Sequence, residues 1–111
     1  MKKKFFKLET LKELLEKEKI KGRKIVHCHG VFDLIHIGHI KHFKESKRFG
    51  DILVVTITPD RFVDKGYGRP AFKERTRIEA LEALEEIDYL ALNTEKSALS
   101  AIRKIKPDIY C

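Results

Sequence analysis

Two histidines separated by a short spacer form the part of this sequence best suited to chemistry. His36, Gly38 and His39 lie in the run GVFDLIHIGH, which begins at Gly30. An imidazole donates a hydrogen bond to a phosphate oxygen, and does so more strongly when it is protonated. Glycine at position 30 lets the backbone approach the same anion without a Cβ in the way, and Gly38 keeps the space between the two histidines open. The spacing therefore predicts a phosphate-binding turn.

This turn lies between a predicted strand and a predicted helix. KIVHCH (residues 24–29) is rich in strand-forming residues, and residues 36–49 carry apolar side chains at helical spacing up to Gly50. The helix N-terminus then presents free N–H groups and its dipole to an anion. Such fixed donors suit chemistry at the α-phosphate of a nucleoside triphosphate, because charge builds up there and on the departing pyrophosphate.

The remaining elements alternate between strands and helices. The patterns predict an N-terminal helix capped by Thr10 and strands over 51–58, 88–92 and 108–111. They also predict a helix over 73–87, where Ile78, Leu81, Leu84 and Ile87 recur at helical spacing. A further helix is predicted over 95–105, with Leu99 facing inward. This alternation predicts an α/β fold, a Rossmann-like open parallel sheet with crossover helices in three layers. We divide the chain into an N-terminal helical segment, residues 1–22, and an α/β domain, residues 23–111. We expect this domain to be truncated, with a C-terminal strand and helix missing.

Composition narrows the class of partner. The 111 residues suit one domain or part of one, and the net charge of +7 favours an anionic ligand. No apolar run approaches the ~20 residues that cross a bilayer, and the N-terminus lacks the apolar core of a secretion signal. The two cysteines form no CxxC motif. We expect a cytoplasmic protein with no membrane partner.

The histidines have two other interpretations. Five of them fall within residues 27–42, so they could bind zinc, but neither an HExxH motif nor an acidic third ligand accompanies them. They could also be turn residues with a purely structural role. We expect no metal site, and we interpret His27, His29 and His42 as packing or supporting residues.

The run GVFDLIHIGH resembles the signature of the cytidylyltransferase-like nucleotidyltransferases, and the similarity extends from about Leu8 to Cys111. GDILVVTITPDRFV and KGYGRPAFKERTRIEALEALEEIDYLAL are similar to the second strand of this family and to its basic phosphate-binding stretch. The GRP and KPDIY elements most resemble the sugar-phosphate branch, which includes the glycerol-3-phosphate cytidylyltransferases and the heptose-1-phosphate adenylyltransferases.

The resemblance implies roles for individual residues. The implied catalytic contacts to the triphosphate are His36, His39, Lys65 and Arg77. The implied nucleotide-binding residues are Gly30, Val31, Phe32, Asp33, Gly38 and Arg69, with Val31 and Phe32 acting through their N–H groups. Where the family often has a second lysine this chain has Tyr67, and Arg69 is the nearest cation.

Each of these side chains also has a structural alternative. Lys65 would be a solvated lysine, and Arg77 a helix-surface residue paired with Glu74. Asp33 would be a turn or helix-capping residue rather than a metal ligand. Asp88 is expected to order the start of the third strand.

The implied activity is transfer of CMP or AMP from CTP or ATP to a phosphorylated sugar or polyol, with release of pyrophosphate. Mg²⁺ would arrive with the triphosphate, and the enzyme would be a homodimer. A truncated nucleotide-binding module without turnover is the alternative. A class I aminoacyl-tRNA synthetase is disfavoured because the chain is short and has no KMSKS-like loop. Nucleic-acid binding is disfavoured because the aromatic residues do not interleave with the basic ones.

Overall fold

An open parallel sheet with helices on both faces carries the fold. The computed structural model describes residues 3–63, 70 and 72–111. In chain order these residues form α1 (Leu8–Ile20), β1 (Ile25–Gly30), α2 (Ile37–Lys47), β2 (Ile52–Ile57), a 3₁₀ turn (Asp60–Phe62), α3 (Glu74–Glu82), β3 (Tyr89–Leu92), α4 (Ala98–Ile105) and β4 (Ile109–Tyr110). All the strand pairs are parallel, and the strand order is β3-β2-β1-β4. The predicted α/β class and parallel topology are confirmed.

Each face of the sheet has its own apolar layer, because side chains alternate along every strand. On one face Val26 and Val55 pack with Phe43 of α2 and with the buried side chains of α3. On the other face Ile25 and Val54 pack with α1 and α4. Every residue of β2 is buried, as expected for a strand covered on both sides. The fold therefore has the predicted three layers.

The strand order opens a crevice beside β1. This strand pairs with β2 on one side and with β4 on the other, and the helices of the crossovers that lead to β2 and β4 pack on opposite faces of the sheet. In open α/β sheets ligands bind at such a point, outside the carboxyl ends of the strands. Residues 31–36 follow the carboxyl end of β1 and therefore lie at this point.

Aspartates at the amino edge of the sheet fasten neighbouring strands together. Each accepts a backbone hydrogen bond of 2.7–2.8 Å: Asp51 from Lys24, Asp88 from Leu53 and Asp108 from Ile25. Asp88 also pairs with Lys47 at the end of α2. As expected, Asp88 orders the start of β3, and the same arrangement recurs before β2 and β4.

The start of α1 and the end of α3 differ from their predicted positions. Helix α1 begins at Leu8 with Lys7 at its N-cap, so Thr10 lies inside the first turn and is not the cap. Helix α3 ends at Glu82 instead of continuing to Ile87, because the chain tightens into turns in which Leu84 N–H donates to Leu81 C=O and Ile87 N–H to Leu84 C=O. Ile87 is nevertheless fully buried.

Helix α4 is shorter than predicted. It starts at Ala98 because the hydroxyl of Ser97 accepts from the N–H of Leu99 and caps the helix. Leu99 was expected to face inward, but 56% of it is exposed. The inward prediction for Leu99 is therefore wrong, whereas Ala101 and Ile105 of α4 are buried.

The N-terminal segment packs on the same sheet as the rest of the chain. Phe6 N–H donates to Leu90 C=O at 3.0 Å, which ties the segment to β3. Leu11 and Leu15 of α1 are fully buried in the layer that contains Ile25. The domain boundary at residue 22 stays a prediction.

Candidate active site

The turn after β1 is built around an aromatic ring. Phe32 has a φ of 53°, a left-handed conformation that is uncommon outside glycine and costs energy. Its ring lies against Gly30, where an added Cβ would come within 2.9 Å of the Phe32 Cζ atom. Gly30 is therefore required by the packing of Phe32. The sequence predicts a phosphate in this space, whereas in the structure the ring of Phe32 fills it.

His36 and His39 cap the start of α2 reciprocally. His36 is the N-cap residue, and its Nδ1 accepts from the N–H of Gly38 at 3.0 Å. The Nδ1 of His39 accepts in turn from the N–H of His36 at 3.2 Å. This is the arrangement of a capping box, with imidazoles in place of the usual hydroxyl and carboxylate. The two ring centroids are 4.1 Å apart.

The capping bonds determine where the neutral rings carry their protons. Because each Nδ1 accepts a hydrogen bond, each neutral imidazole carries its proton on Nε2. Burial, followed by the charges of His36 and His42, lowers the pKa of His39 and favours its neutral form. In each neutral ring Nε2–H is therefore the donor that the capping bonds do not use.

Gly38 is needed because the His36 ring lies against it. A Cβ at position 38 would come within 2.7 Å of the His36 Cε1 atom. The sequence predicts that Gly38 leaves open space between the two histidines. The structure shows that it makes room for one of them.

The Phe32 ring also supports the histidine pair. Its centroid is 5.7 Å from that of His39, edge to face, and 5.4 Å from that of Phe43 on α2. Phe43 is fully buried. Phe32 thus connects the histidines to the apolar layer beneath α2, a role that sequence reasoning missed because only its backbone N–H was considered.

Arg77 lies inside the protein, with 1% of the residue exposed. Its guanidinium donates to the carbonyls of Val31, Thr58 and Phe72 and to the carboxylate of Asp60. The alternative in which Arg77 is a surface residue paired with Glu74 is wrong. Whether Arg77 contacts a nucleotide stays a prediction.

The other predicted binding residues differ in how far the structure describes them. Asp33 Oδ1 accepts from the N–H of Phe72 at 2.9 Å and so ties the turn to the segment before α3. Lys65 and Arg69 lie outside the described residues. A cleft of about 250 Å³ lies beside the turn, and its lining residues are Phe32, Asp33, Ile35, Phe72, Thr76, Arg77 and Ala80.

A buried polar row lies next to the turn. Thr56 Oγ1 is 2.7 Å from His27 Nε2 and 2.7 Å from His29 Nδ1, and His29 Nε2 is 3.4 Å from Thr58 Oγ1. Burial, with a smaller effect of His29, lowers the pKa of His27 to about 3. Burial lowers the pKa of His29 as well, so both rings favour their neutral forms, whereas His42 is exposed.

Two features are absent from the described residues: a cluster of metal-ligating side chains and a membrane-spanning helix. In the part of the chain that the structure describes, no three His, Cys, Asp or Glu side chains come together as a metal site would require. None of the helices there is long and apolar enough to cross a membrane.

Comparison with known proteins agrees with the resemblance seen in the sequence. The model of the cytidylyltransferase-like family matches residues 27–111. The chain is 38% identical over 104 residues to the bifunctional protein HldE of Desulfatibacillum aliphaticivorans, and 39% identical over 104 residues to that of Geobacter metallireducens. Each alignment covers 92% of this chain and 21% of the relative, so the chain spans about a fifth of the length of these relatives.

A solved structure has the same fold. It is the lipopolysaccharide core biosynthesis protein from Thermoplasma volcanium, which is 37% identical in sequence with a TM-score of 0.71. The match covers 80% of this chain and 73% of that one. The family match includes β1 from His27 onward, the histidine pair and all the elements that follow. This match, together with the similarity to the solved structure, shows that the chain belongs to the cytidylyltransferase-like family.

Proposed function

We propose that this chain transfers a nucleotidyl group, CMP or AMP, from CTP or ATP to a phosphorylated sugar or polyol. The observation that carries the proposal is the pair of imidazoles 4.1 Å apart at the N-terminus of α2, each with Nδ1 bonded to a backbone N–H and Nε2 left for a ligand. Membership of the family supports the reaction class. The similarity to HldE proteins and to a lipopolysaccharide core biosynthesis protein supports a sugar phosphate as acceptor.

In the proposed reaction an oxygen of the acceptor's phosphate attacks the α-phosphorus of the nucleotide. A new P–O bond forms in line with the bond to pyrophosphate, which breaks and takes the electron pair with it. The Nε2–H groups of His36 and His39 donate to the phosphate oxygens on which negative charge increases. Catalysis then comes from positioning and charge stabilisation, and no covalent enzyme intermediate is required.

Other residues contribute binding in this proposal. The N–H groups of Val31 and Phe32, beside Gly30, lie on the same turn and would face the nucleotide. Lys65 and Arg69 would supply phosphate contacts from the segment before α3. Mg²⁺ enters as part of the metal–nucleotide substrate, since magnesium usually binds through phosphates and only a few protein ligands.

The test is pyrophosphate release by the purified chain, with CTP or ATP and a panel of sugar and polyol phosphates. We expect release that requires both a nucleotide and one acceptor class, and that is lost in the His39→Ala variant. His42→Ala is the matched control, because that histidine is exposed and lies one turn further along α2. Stabilisation by nucleotide without any pyrophosphate release would contradict transfer and favour a binding module.

A further inference from the structure

We propose that Arg77 is a positioning residue that holds the histidine turn in place from inside the protein and does not itself contact the triphosphate. The inference rests on the proposed function of that turn. It assigns to Arg77 a role different from the phosphate contact that the family resemblance implies.

The guanidinium joins four segments of the chain at the carboxyl edge of the sheet. Its Nη1 donates to Val31 C=O at 2.8 Å and to Thr58 C=O at 2.7 Å. Its Nη2 donates to Asp60 Oδ1 at 2.8 Å, and its Nε to Phe72 C=O at 3.2 Å. Those groups belong to the turn after β1, the end of β2, the 3₁₀ turn and the segment that leads into α3.

Burial and bonding leave this group little capacity for a ligand. The side chain of Arg77 is 0% exposed, while that of Asp60 is 29% exposed. An arginine has five N–H donors, and the four bonds above use four of them. A buried charge is tolerated when it is paired and hydrogen-bonded. One Nη2 donor remains, but the side chain is closed to solvent, so we infer that Arg77 acts on the substrate through the groups it holds.

The path from Arg77 to the histidines is short. Val31 precedes Phe32, whose ring packs edge to face against His39. The same turn is tied a second time to the segment before α3, because Asp33 accepts from Phe72 N–H while Arg77 donates to Phe72 C=O. Without the guanidinium the turn loses its bond at Val31, and the support of the His39 ring changes with it.

Lysine cannot make this set of contacts. Its ammonium is a single point of charge and has no planar fork that reaches four acceptors in different directions. The Arg77→Lys variant therefore keeps the charge and removes the geometry. Arg75→Lys is the matched control, since Arg75 lies on the same helix with a side chain that is 91% exposed.

The experiment measures the ring-nitrogen NMR signals of His36 and His39 in the nucleotide-free protein, together with kcat and KM for pyrophosphate release. In Arg77→Lys we expect changed Nδ1 and Nε2 signals before any nucleotide is added. We also expect a kcat lower by about 100-fold, the size of loss that a misplacement of about 1 Å produces, with a smaller change in KM. Arg75→Lys should change neither quantity.

Unchanged histidine signals in the free Arg77→Lys protein, with a raised KM for nucleotide, would overturn the proposal and indicate direct contact. If that variant does not fold, Asp60→Asn serves the same purpose, because it keeps an oxygen at the site and removes the charge that pairs with Arg77. It should shift the same signals by a smaller amount, and unshifted signals would contradict the proposal. Because this readout needs no turnover, it remains decisive even if the wild-type chain releases no pyrophosphate.

Discussion

The backbone N–H of His36 donates to Nδ1 of His39, while the side chain of His36 accepts from the amide two residues further on. The two rings that would bind the triphosphate are thus also the cap of the helix that carries them. Helix capping uses Nδ1 of each imidazole, and the proposed phosphate binding would use Nε2 of the same rings. A substitution that keeps the capping acceptor but removes the Nε2–H donor can therefore separate the two roles.

Replacing His36 by asparagine should separate capping from chemistry. Asparagine is a favoured N-cap residue, so we expect His36→Asn to melt close to the wild type, whereas His36→Ala should lose about 1 kcal/mol of stability. Both variants lose the Nε2–H donor, so both should release pyrophosphate at least 100-fold more slowly, by analogy with oxyanion donors. Thermal melting and a pyrophosphate assay measure the two effects. Full activity in His36→Asn would show that the ring is not needed.

Gly38→Ala should reduce activity without unfolding the protein. Alanine favours a helix over glycine by up to about 1 kcal/mol, but its Cβ must displace the His36 ring from its position. We expect a folded protein with slow pyrophosphate release and a changed His36 ring signal by NMR. Gly22→Ala is the opposite control: its φ of 84° makes alanine strained, while nothing lies within 4 Å of the new Cβ. Gly22→Ala should therefore lower the stability of the protein, while its folded molecules release pyrophosphate at the wild-type rate.

The buried row at His27 predicts a pH dependence of stability. Histidine in an unfolded chain titrates near pH 6.5, and burial lowers the pKa of His27 to about 3. Between these values the unfolded state binds a proton that the folded state does not. The free energy of unfolding should therefore fall as the pH falls from about 6.5 towards 3, by up to about 1.4 kcal/mol per pH unit from this residue.

Urea unfolding at several pH values checks this slope. His27→Gln should flatten it while keeping a polar partner for Thr56, although His29, whose pKa is also lowered by burial, retains part of the effect. An equal slope in wild type and His27→Gln would mean that His27 does not carry the effect.

Asp108 should contribute more to stability than Asp51, although both accept a backbone hydrogen bond at the amino edge of the sheet. The donor facing Asp108 is the N–H of fully buried Ile25, while the donor facing Asp51 is that of exposed Lys24. We expect Asp108→Ala to cost about 1–3 kcal/mol, because a buried N–H loses its acceptor. In Asp51→Ala water replaces the carboxylate and the cost is smaller. Chemical denaturation of the two variants measures the difference.

The parallel sheet was predictable because its residues differ sharply from those of the helices. The run ILVVTI is apolar on both faces, which only a central strand of a covered sheet requires. The end of α3 was not predictable in this way. Apolar residues continue at helical spacing to Ile87, with neither glycine nor proline to stop the helix, so the pattern cannot distinguish a helix from the turns that replace it.

The part of the candidate site that consists of distinctive side chains was predictable, and the part that consists of backbone groups was not. His36 and His39 could be selected because imidazoles beside glycine at a strand end suit phosphate. The partners of Arg77 could not, since three of the four are backbone carbonyls, which every residue possesses. Asp60 was the one side-chain signal, an acidic residue just past a buried strand. The left-handed backbone of Phe32 had no signal, because aromatic residues do not favour that conformation.

The Thr56 hydroxyl has a single proton to share between two imidazoles. His27 Nδ1 is buried without a partner among the described residues, and an N–H group there would be the costlier orphan. The proton of His27 therefore lies on Nε2 and is donated to Thr56, which donates to His29, whose own Nε2–H faces Thr58. Every hydrogen bond in the row is thus donated towards the carboxyl end of the sheet. A change that reverses the tautomer of either ring must also turn the hydroxyl between them.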